Sequence, residues 1–339
     1  MHTQLKSADP LNSQQAAASA QGRYVPARSS ATVLPREQKP ETVGPVGRMM
    51  AAMVAVGFSR AYRWLGWRPT DRTFSRLGRR FRSLRHMRVS MNDGRTLYLD
   101  LRNPVAIPYL LEGEFPAERT EAELVTVLVE EGDLAVDIGA NVGWYASLLC
   151  RQVGRGGQVH AFEPNPYLTR LLQSLAGEHP QLTVHRAALG DCAGKTDFYI
   201  PHNWISGSCR PSNGSARQFT VPMARLDQVL PRRPDFVKLD AEGAEMDILA
   251  GGRSVLDAPD APTWLVELST EEARTFGHEV EDLVDAFARA TRARYTAYCI
   301  DSDHSRLRPL ELPDTDDYWM NALFVPAARA DRLPPRWLA

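Results

Sequence analysis

The chain has 339 residues, 43% of them hydrophobic, and a formal net charge of −1. That is enough apolar material for one large α/β domain with extensions, and the balanced charge excludes a protein that is basic overall and binds polyanions through its whole surface. The four cysteines (Cys150, Cys192, Cys209 and Cys299) are widely separated and show no C-x-x-C spacing, which argues against a zinc site or a disulfide framework and fits a reducing cytoplasm.

Residues 1–45 are rich in Ser, Gln, Ala, Pro and Thr, with no apolar periodicity. A disordered tail is expected, because little apolar surface is available to offset the entropy of ordering it. The first residues are polar and no apolar run follows them, so no secretory leader is expected. Residues 46–90 differ sharply. They hold eleven arginines (Arg48, Arg60, Arg63, Arg68, Arg72, Arg76, Arg79, Arg80, Arg82, Arg85 and Arg88) against one acid, Asp71. This segment reads as a basic, helical arm. Its apolar stretch Met49 to Ser59 is too short to span a bilayer. With Trp64 and Trp67 among the arginines, two readings stand: peripheral contact with the inner face of an anionic membrane through residues 48–88, or an arm docked on an acidic body with its arginines solvated. Nucleic acid is the less favoured partner.

From Met91 the pattern becomes globular. A strand over Arg95 to Leu101 follows the Asn92-Asp93-Gly94 turn, and Glu121 to Glu130 reads as a helix with Leu124, Val125 and Leu128 on one face. Then strands and helices alternate. The spacing predicts strands over 134–138, 158–162, 182–186, 236–239 and 264–268. Helices are predicted over about 142–152, 166–176, 244–256 and 280–290. A hairpin falls between the third and fourth strands, over 196–200 and 218–221. Strands over 295–300 and 322–325 close the sheet. Repeated βα units imply a doubly wound, mostly parallel Rossmann-like sheet, with ligands at the carboxyl ends of its strands.

Chemistry concentrates at those ends. The first strand stops at Asp137 and turns on Gly139 and Gly143 into a helix. A dinucleotide fingerprint would carry three glycines for a pyrophosphate; two glycines spaced for a turn and a close helix contact suit an adenosyl ligand without phosphates, such as S-adenosylmethionine. Asp137 can accept hydrogen bonds from such a ligand and suits a nearby sulfonium; otherwise it only orders the turn. Glu163, at the end of the second strand, can accept both ribose hydroxyls, or can serve as a helix-start acid. Ala187, Ala188 and Leu189 leave room for a flat adenine. Asp191 can accept from the adenine amine, or is a plain turn acid. At the fourth strand, alternation puts Lys238 and Asp240 on the same side, with Asp240 at the mouth. Asp240 and Glu242 lie where the reacting methyl is expected and are candidates for accepting a proton. With Glu267 they form at most a weak set of metal ligands, so no metal is expected. The hairpin residue His202 is a second candidate base.

These residues carry a family resemblance. The chain resembles the FkbM-like methyltransferases over roughly residues 105–326. Leu111 to Pro116 looks like the family's entry motif, with Glu114 and Phe115 in reversed order. Val136 to Gly143, which includes Asn141, is similar to the cofactor loop. Phe162-Glu163-Pro164 is similar to the ribose-binding strand end, and Ala187 to Asp191 to the third motif. Leu226-Asp227 followed by Val237 to Glu245 is similar to the family's most distinctive motif, and Asn321 to Val325 to its closing strand. The resemblance implies a class I methyltransferase domain over 91–330 with a short tail over 331–339, S-adenosylmethionine as cofactor, and O-methylation of a hydroxyl on a small molecule, sugar, glycolipid or polyketide. Asp137, Gly139, Asn141, Gly143, Glu163, Ala188 and Asp191 would then bind the cofactor, with Asp240, His202 and Glu242 near the reaction. Methylation of nucleic acid or protein is one rival; Asp240-Ala241-Glu242-Gly243 stands where an adenine amino-methyltransferase would carry Asn-Pro-Pro-aromatic. A non-catalytic module that kept the fold is another.

Overall fold

The computed structural model describes residues 71–201, 207–211 and 215–338. The expected tail, most of the basic arm with Trp64 and Trp67, and His202 lie outside the described residues.

The first described element is helix α1 (Asp71–Arg80), followed by a 3-10 turn over Arg82–Arg85 and the hairpin of β1 (Met87–Ser90) and β2 (Thr96–Leu99). The sequence placed a boundary at residue 90. The hairpin crosses it, because the Asn92-Asp93-Gly94 turn joins β2 to a strand on the arm side. Phe74, Leu84 and Met87 are buried in the same core as the strands and helices that follow. Arg95 fixes the hairpin to the body: its guanidinium donates to the Trp144 carbonyl at 2.8 Å and to Ser147 Oγ at 2.9 Å, and it lies over the Trp144 ring.

Helices α2 (Ala106–Glu112) and α3 (Arg119–Leu128) lead into the central sheet. Its strands, in chain order, are β3 (Leu134–Ile138), β4 (Gln158–Phe162), β5 (Leu182–His185), β9 (Phe236–Leu239), β10 (Thr263–Ser269), β11 (Tyr295–Asp301), β12 (Arg306–Pro309) and β13 (Trp319–Pro326). They lie side by side in the order β12-β11-β13-β10-β9-β3-β4-β5. β5, β4, β3, β9 and β10 are mutually parallel; β13 is antiparallel to both β10 and β11. This is the expected doubly wound, mostly parallel sheet. The pattern of the strands explains it: Leu134, Val136 and Ile138 pack into one core and Ala135 into the other, and Val237 and Leu239 likewise oppose Phe236. Strands apolar on both faces need helices on both faces. α4 (Trp144–Val153) and α5 (Pro166–Ala176) cover one face; α7 (Glu245–Gly251), α8 (Arg253–Leu256) and α10 (Val280–Ala288) cover the other.

Two differences from the sequence reading have local causes. The helix expected over 244–256 is split into α7 and α8. Gly251 and Gly252 weaken it there, and a Cβ at Gly251 would lie 1.9 Å from the Gly190 carbonyl oxygen, so the backbones touch. The expected hairpin becomes part of a separate three-stranded sheet, in which β8 (Ser215–Ala224) pairs with both β7 (Gly194–Pro201) and the short β6 (Ala188–Leu189). A short helix α6 (Leu226–Val229) follows it, and α9 (Thr270–Phe276) continues directly from β10. Among the described residues no helix is long and apolar enough to cross a membrane.

Candidate active site

A cavity of about 430 Å³ opens at the carboxyl ends of β3, β4, β9 and β10. Its floor is the turn after β3. Gly139 and Ala140 both donate their N–H to the Phe162 carbonyl, at 3.0 and 3.1 Å, so the turn is tied to the end of β4. Gly139, Asn141 and Gly143 all have positive φ (79°, 47° and 89°), the left-handed conformation a tight strand-to-helix turn requires. Gly139 and Asn141 line the cavity. Gly143 instead starts α4, and a Cβ there would press on Leu172 and Leu175 of α5 at 2.8 and 2.9 Å. Its role is the close helix contact.

Two buried carboxyls face this floor. Asp137 accepts from the Ala146 amide, and its Oδ2 is buried with no hydrogen-bond partner. Burial, opposed by Lys238 and reinforced by Asp240, pushes its carboxyl up to about 7. Glu163 Oε2 accepts the Asn141 N–H at 2.9 Å and Oε1 accepts the Asn165 N–H at 2.8 Å. Burial outweighs these two donors and lifts Glu163 to about 7 as well. Each Glu163 oxygen keeps a further lone pair for a ligand hydroxyl. Beyond Glu163 the wall is apolar: Phe162, Ala187, Ala188, Leu189 and Phe198. Asp191 is exposed and does not line the cavity; the chain turns away after β6, and its carbonyl accepts from Arg225 at 2.8 Å.

The other end of the cavity is acidic around one buried cation. Lys238, 1% exposed, is the cross-strand neighbour of Asp137 and lies 3.3 Å from Asp240 Oδ2. Burial alone would lower the Lys238 ammonium, but Asp240, Glu267, Glu118 and Asp137 together hold it above its ordinary value. Glu267 ends β10. Burial and the adjoining Asp240, to which it is hydrogen-bonded, raise its carboxyl well above the usual range. Trp319 Nε1 donates to Glu267 Oε1. Glu242 sits at φ 54° and forms a carboxyl pair with Glu272; burial and the neighbouring Glu272 raise Glu242, while Glu272 is raised by burial and by Asp240 against the hydrogen bond it shares with Glu242. Glu245, the first residue of α7, accepts the Ala241 N–H at 2.8 Å and the Gly243 N–H at 3.3 Å, which holds the loop between β9 and α7.

The structure therefore brings Asp137, Gly139, Asn141, Glu163, Ala188, Asp240, Glu242 and Glu267 to one cavity and leaves Gly143 and Asp191 off its wall. Among the described residues no three His, Cys, Asp or Glu side chains converge to hold a metal ion. Asp240, Glu242 and Glu267 do not form such a set: Glu242 turns to Glu272, and Glu267 to Asp240 and Trp319. Several wall residues escaped the sequence reading. Glu118, not Glu114, is the acid of the entry segment that lines the cavity, and burial lifts it to about 7; Glu114 pairs with Arg119. Tyr109, Tyr145, Glu272 and Trp319 also contribute, beside Phe115 of the entry segment. Tyr109 and Phe115 stand six residues apart across a turn, with ring centroids 5.5 Å apart, a spacing that carries no periodic signal.

Residues 137–295 match the family described as Methyltransferase FkbM domain. The 2-O-methyltransferase NoeI of Sinorhizobium fredii is 26% identical, over 41% of this chain and 65% of that protein. The hexuronic acid methyltransferase AglP of Haloferax volcanii is also 26% identical, over 41% of this chain and 59% of its own length. The chain thus matches less than two thirds of either relative. A crystal structure of Methyltransferase FkbM from Methylobacillus flagellatus aligns at a TM-score of 0.37 with 19% identity, covering 65% of this chain and 52% of that one.

Proposed function

We propose that the chain, whose residues 137–295 match the FkbM methyltransferase domain, transfers a methyl group from S-adenosylmethionine to a hydroxyl oxygen of a small, sugar-bearing acceptor. The sheet has the class I methyltransferase arrangement, with one reversed strand, β13, inserted between β10 and β11. The sugar class rests on the hexuronic acid methyltransferase, and oxygen as the target on the 2-O-methyltransferase.

The observation that carries the proposal is one cavity with a nucleoside-shaped end and an acidic end. The residues fit the donor. Asp137 Oδ2 is a buried acceptor without a partner, Glu163 keeps acceptor capacity at the end of β4, and the apolar wall from Ala187 to Leu189 can take a flat base. When bound, the donor supplies a methyl already activated by its sulfonium. What remains for the protein is alignment and receipt of a proton. Asp240 is held from two sides, by Lys238 Nζ and by Glu267, so its carboxylate cannot swing away from the cavity. Its remaining lone pairs accept the acceptor hydroxyl. As the oxygen takes the methyl, its O–H becomes strongly acidic, and even a carboxylate with two donors on it is basic enough to take that proton. Lys238 keeps the acidic end from repelling a second charge.

Calorimetry with S-adenosylmethionine on wild type, Asp137→Ala and Glu163→Ala tests the donor site, with folding of each variant checked by circular dichroism. Binding by wild type that both variants lose supports the reading. No binding by folded, donor-free wild type sinks it and leaves the non-catalytic module. Transfer of labelled methyl to a panel of glycosides then tests the acceptor class.

A further inference from the structure

We infer that the face formed by α1 and the 3-10 turn after it is a docking surface for an anionic lipid bilayer. Several arginines elsewhere meet carboxylates: Arg88, Arg95, Arg102, Arg225 and Arg332 each lie 2.6–2.9 Å from one, while others, such as Arg253 and Arg292, stand exposed singly. On this face Arg76, Arg79, Arg80 and Arg82 are exposed, and none forms an ion pair with a described residue. Among them stands Phe81, 37% exposed, with the Arg80 guanidinium 5.2 Å from its ring centroid. A large apolar side chain left in water between unpaired cations is the composition of an interfacial anchor. The ring enters the headgroup region while the guanidinium groups meet lipid phosphates.

The face is rigidly mounted. Phe74 and Leu84 are buried in the main core beneath it. Arg85 donates to the Gly78 and Arg79 carbonyls at 2.8 and 2.7 Å, closing the end of α1, and the Leu101 N–H donates to the Leu84 carbonyl at 2.8 Å. The chain running on from Leu101 reaches Val105 and Tyr109, which line the cavity. The basic face and the wall of the cavity thus belong to one continuous piece of chain. The sequence just ahead of α1 adds four more arginines, an apolar stretch and two tryptophans. That composition favours a bilayer over a nucleic acid, whose phosphates need no apolar partner. The inference does not depend on the acceptor being a lipid or on the proposed activity.

Co-sedimentation of the full chain with vesicles of phosphatidylcholine, alone or mixed in equal parts with phosphatidylglycerol, tests it. Wild type should bind the anionic vesicles only, and high salt should release it. Replacing Arg76, Arg79, Arg80 and Arg82 together by Glu should weaken partitioning by at least about a hundredfold, since each basic residue near the surface contributes about fivefold. The milder Arg→Gln set guards against misfolding, and Phe81→Ser should weaken binding at unchanged charge. Charge reversal at the exposed Arg253 and Arg292, on the far part of the fold, should have little effect. Three results would each overturn the inference: no binding of wild type to anionic vesicles, equal binding by folded variants of this face, or displacement from vesicles by RNA that binds more tightly.

Discussion

Gly139 and Asp240 touch backbone to backbone: a Cβ on Gly139 would lie 1.7 Å from the Asp240 carbonyl oxygen. The Asp240 N–H in turn donates to the Ile138 carbonyl at 3.1 Å, so the floor of the donor end and the mouth of the acidic end are a single rigid unit. Gly139→Ala must move one or the other, in a conformation that already penalises a side chain. The expected loss is about 3–5 kcal/mol of stability, with donor binding abolished. Gly94→Ala is the control. Gly94 has a similar φ of 83° but open space around it, so only the conformational penalty of about 1 kcal/mol is expected. Urea unfolding of both variants measures the difference.

Glu163→Gln separates an acceptor role from a charge. Both oxygens of Glu163 receive backbone amides, from Asn141 and Asn165. A glutamine presents an NH₂ to one of them, leaving a buried donor facing a donor. A destabilisation of about 1–3 kcal/mol is expected, together with donor affinity reduced about 10–100-fold. Unchanged affinity in a folded variant would show that Glu163 only orders the turn.

Asp240→Asn keeps the shape of the acidic end and removes its proton acceptor. The expected outcome is a fall in kcat of about 10²-fold or more, with donor affinity changed less than about threefold. Loss of donor affinity without loss of kcat would place Asp240 in the donor site instead.

Much of this was legible from sequence because the proposed donor half is built from local signals. Strand, acid and glycine turn are contiguous at Asp137–Gly143, and β3, β4, β9 and α5 fall on their expected residues. Lys238 and Asp240 converge because a strand repeats every two residues. Asp191 failed because a turn acid beside small residues looks the same whether the chain continues along the cavity or leaves it. The acceptor half was hidden for another reason. Glu118, Glu272 and Trp319 come from three distant segments, and only the folding of the turn between α2 and α3, of α9 and of β13 around the strand ends brings them together. Glu114 drew attention through its motif, yet the turn into α3 points it at Arg119.

Trp319 should govern the acceptor and not the donor. It is 51% exposed, lines the cavity, and is tied by its indole N–H to Glu267. An exposed ring beside carboxyls offers a flat apolar face and hydrogen-bond acceptors to one sugar. Trp319→Ala should raise the acceptor KM by about tenfold and leave the donor KM within about twofold. Trp319→Phe retains the ring but not the N–H, so an intermediate KM is expected. Steady-state kinetics on the first active glycoside decides; an equal rise in both KM values would count against a separate acceptor wall.

Stability of the unliganded protein should fall as pH rises from about 5 to about 7. Asp137, Glu163 and Glu245 are each lifted by burial to about 7 in the folded chain, against the ordinary carboxylate values near 4 when unfolded. Between those values the folded state holds more protons, so each group's stabilising contribution is present below about 4 and lost as pH rises through 7. Between pH 5 and pH 7 the loss is on the order of 2 kcal/mol per group. Glu178 has the opposite sign: hydrogen bonds from Arg88 hold it below its usual range, so its contribution is present above that range and lost as pH falls further. Melting temperatures across this window should decline for wild type and decline less for Glu163→Gln, which has one fewer titrating group. Donor binding should run the other way, strengthening through pH 7 as Asp137 and Glu163 ionise toward a cationic ligand. A flat melting profile with unchanged donor affinity would mean that these carboxyls are already ionised in the empty site.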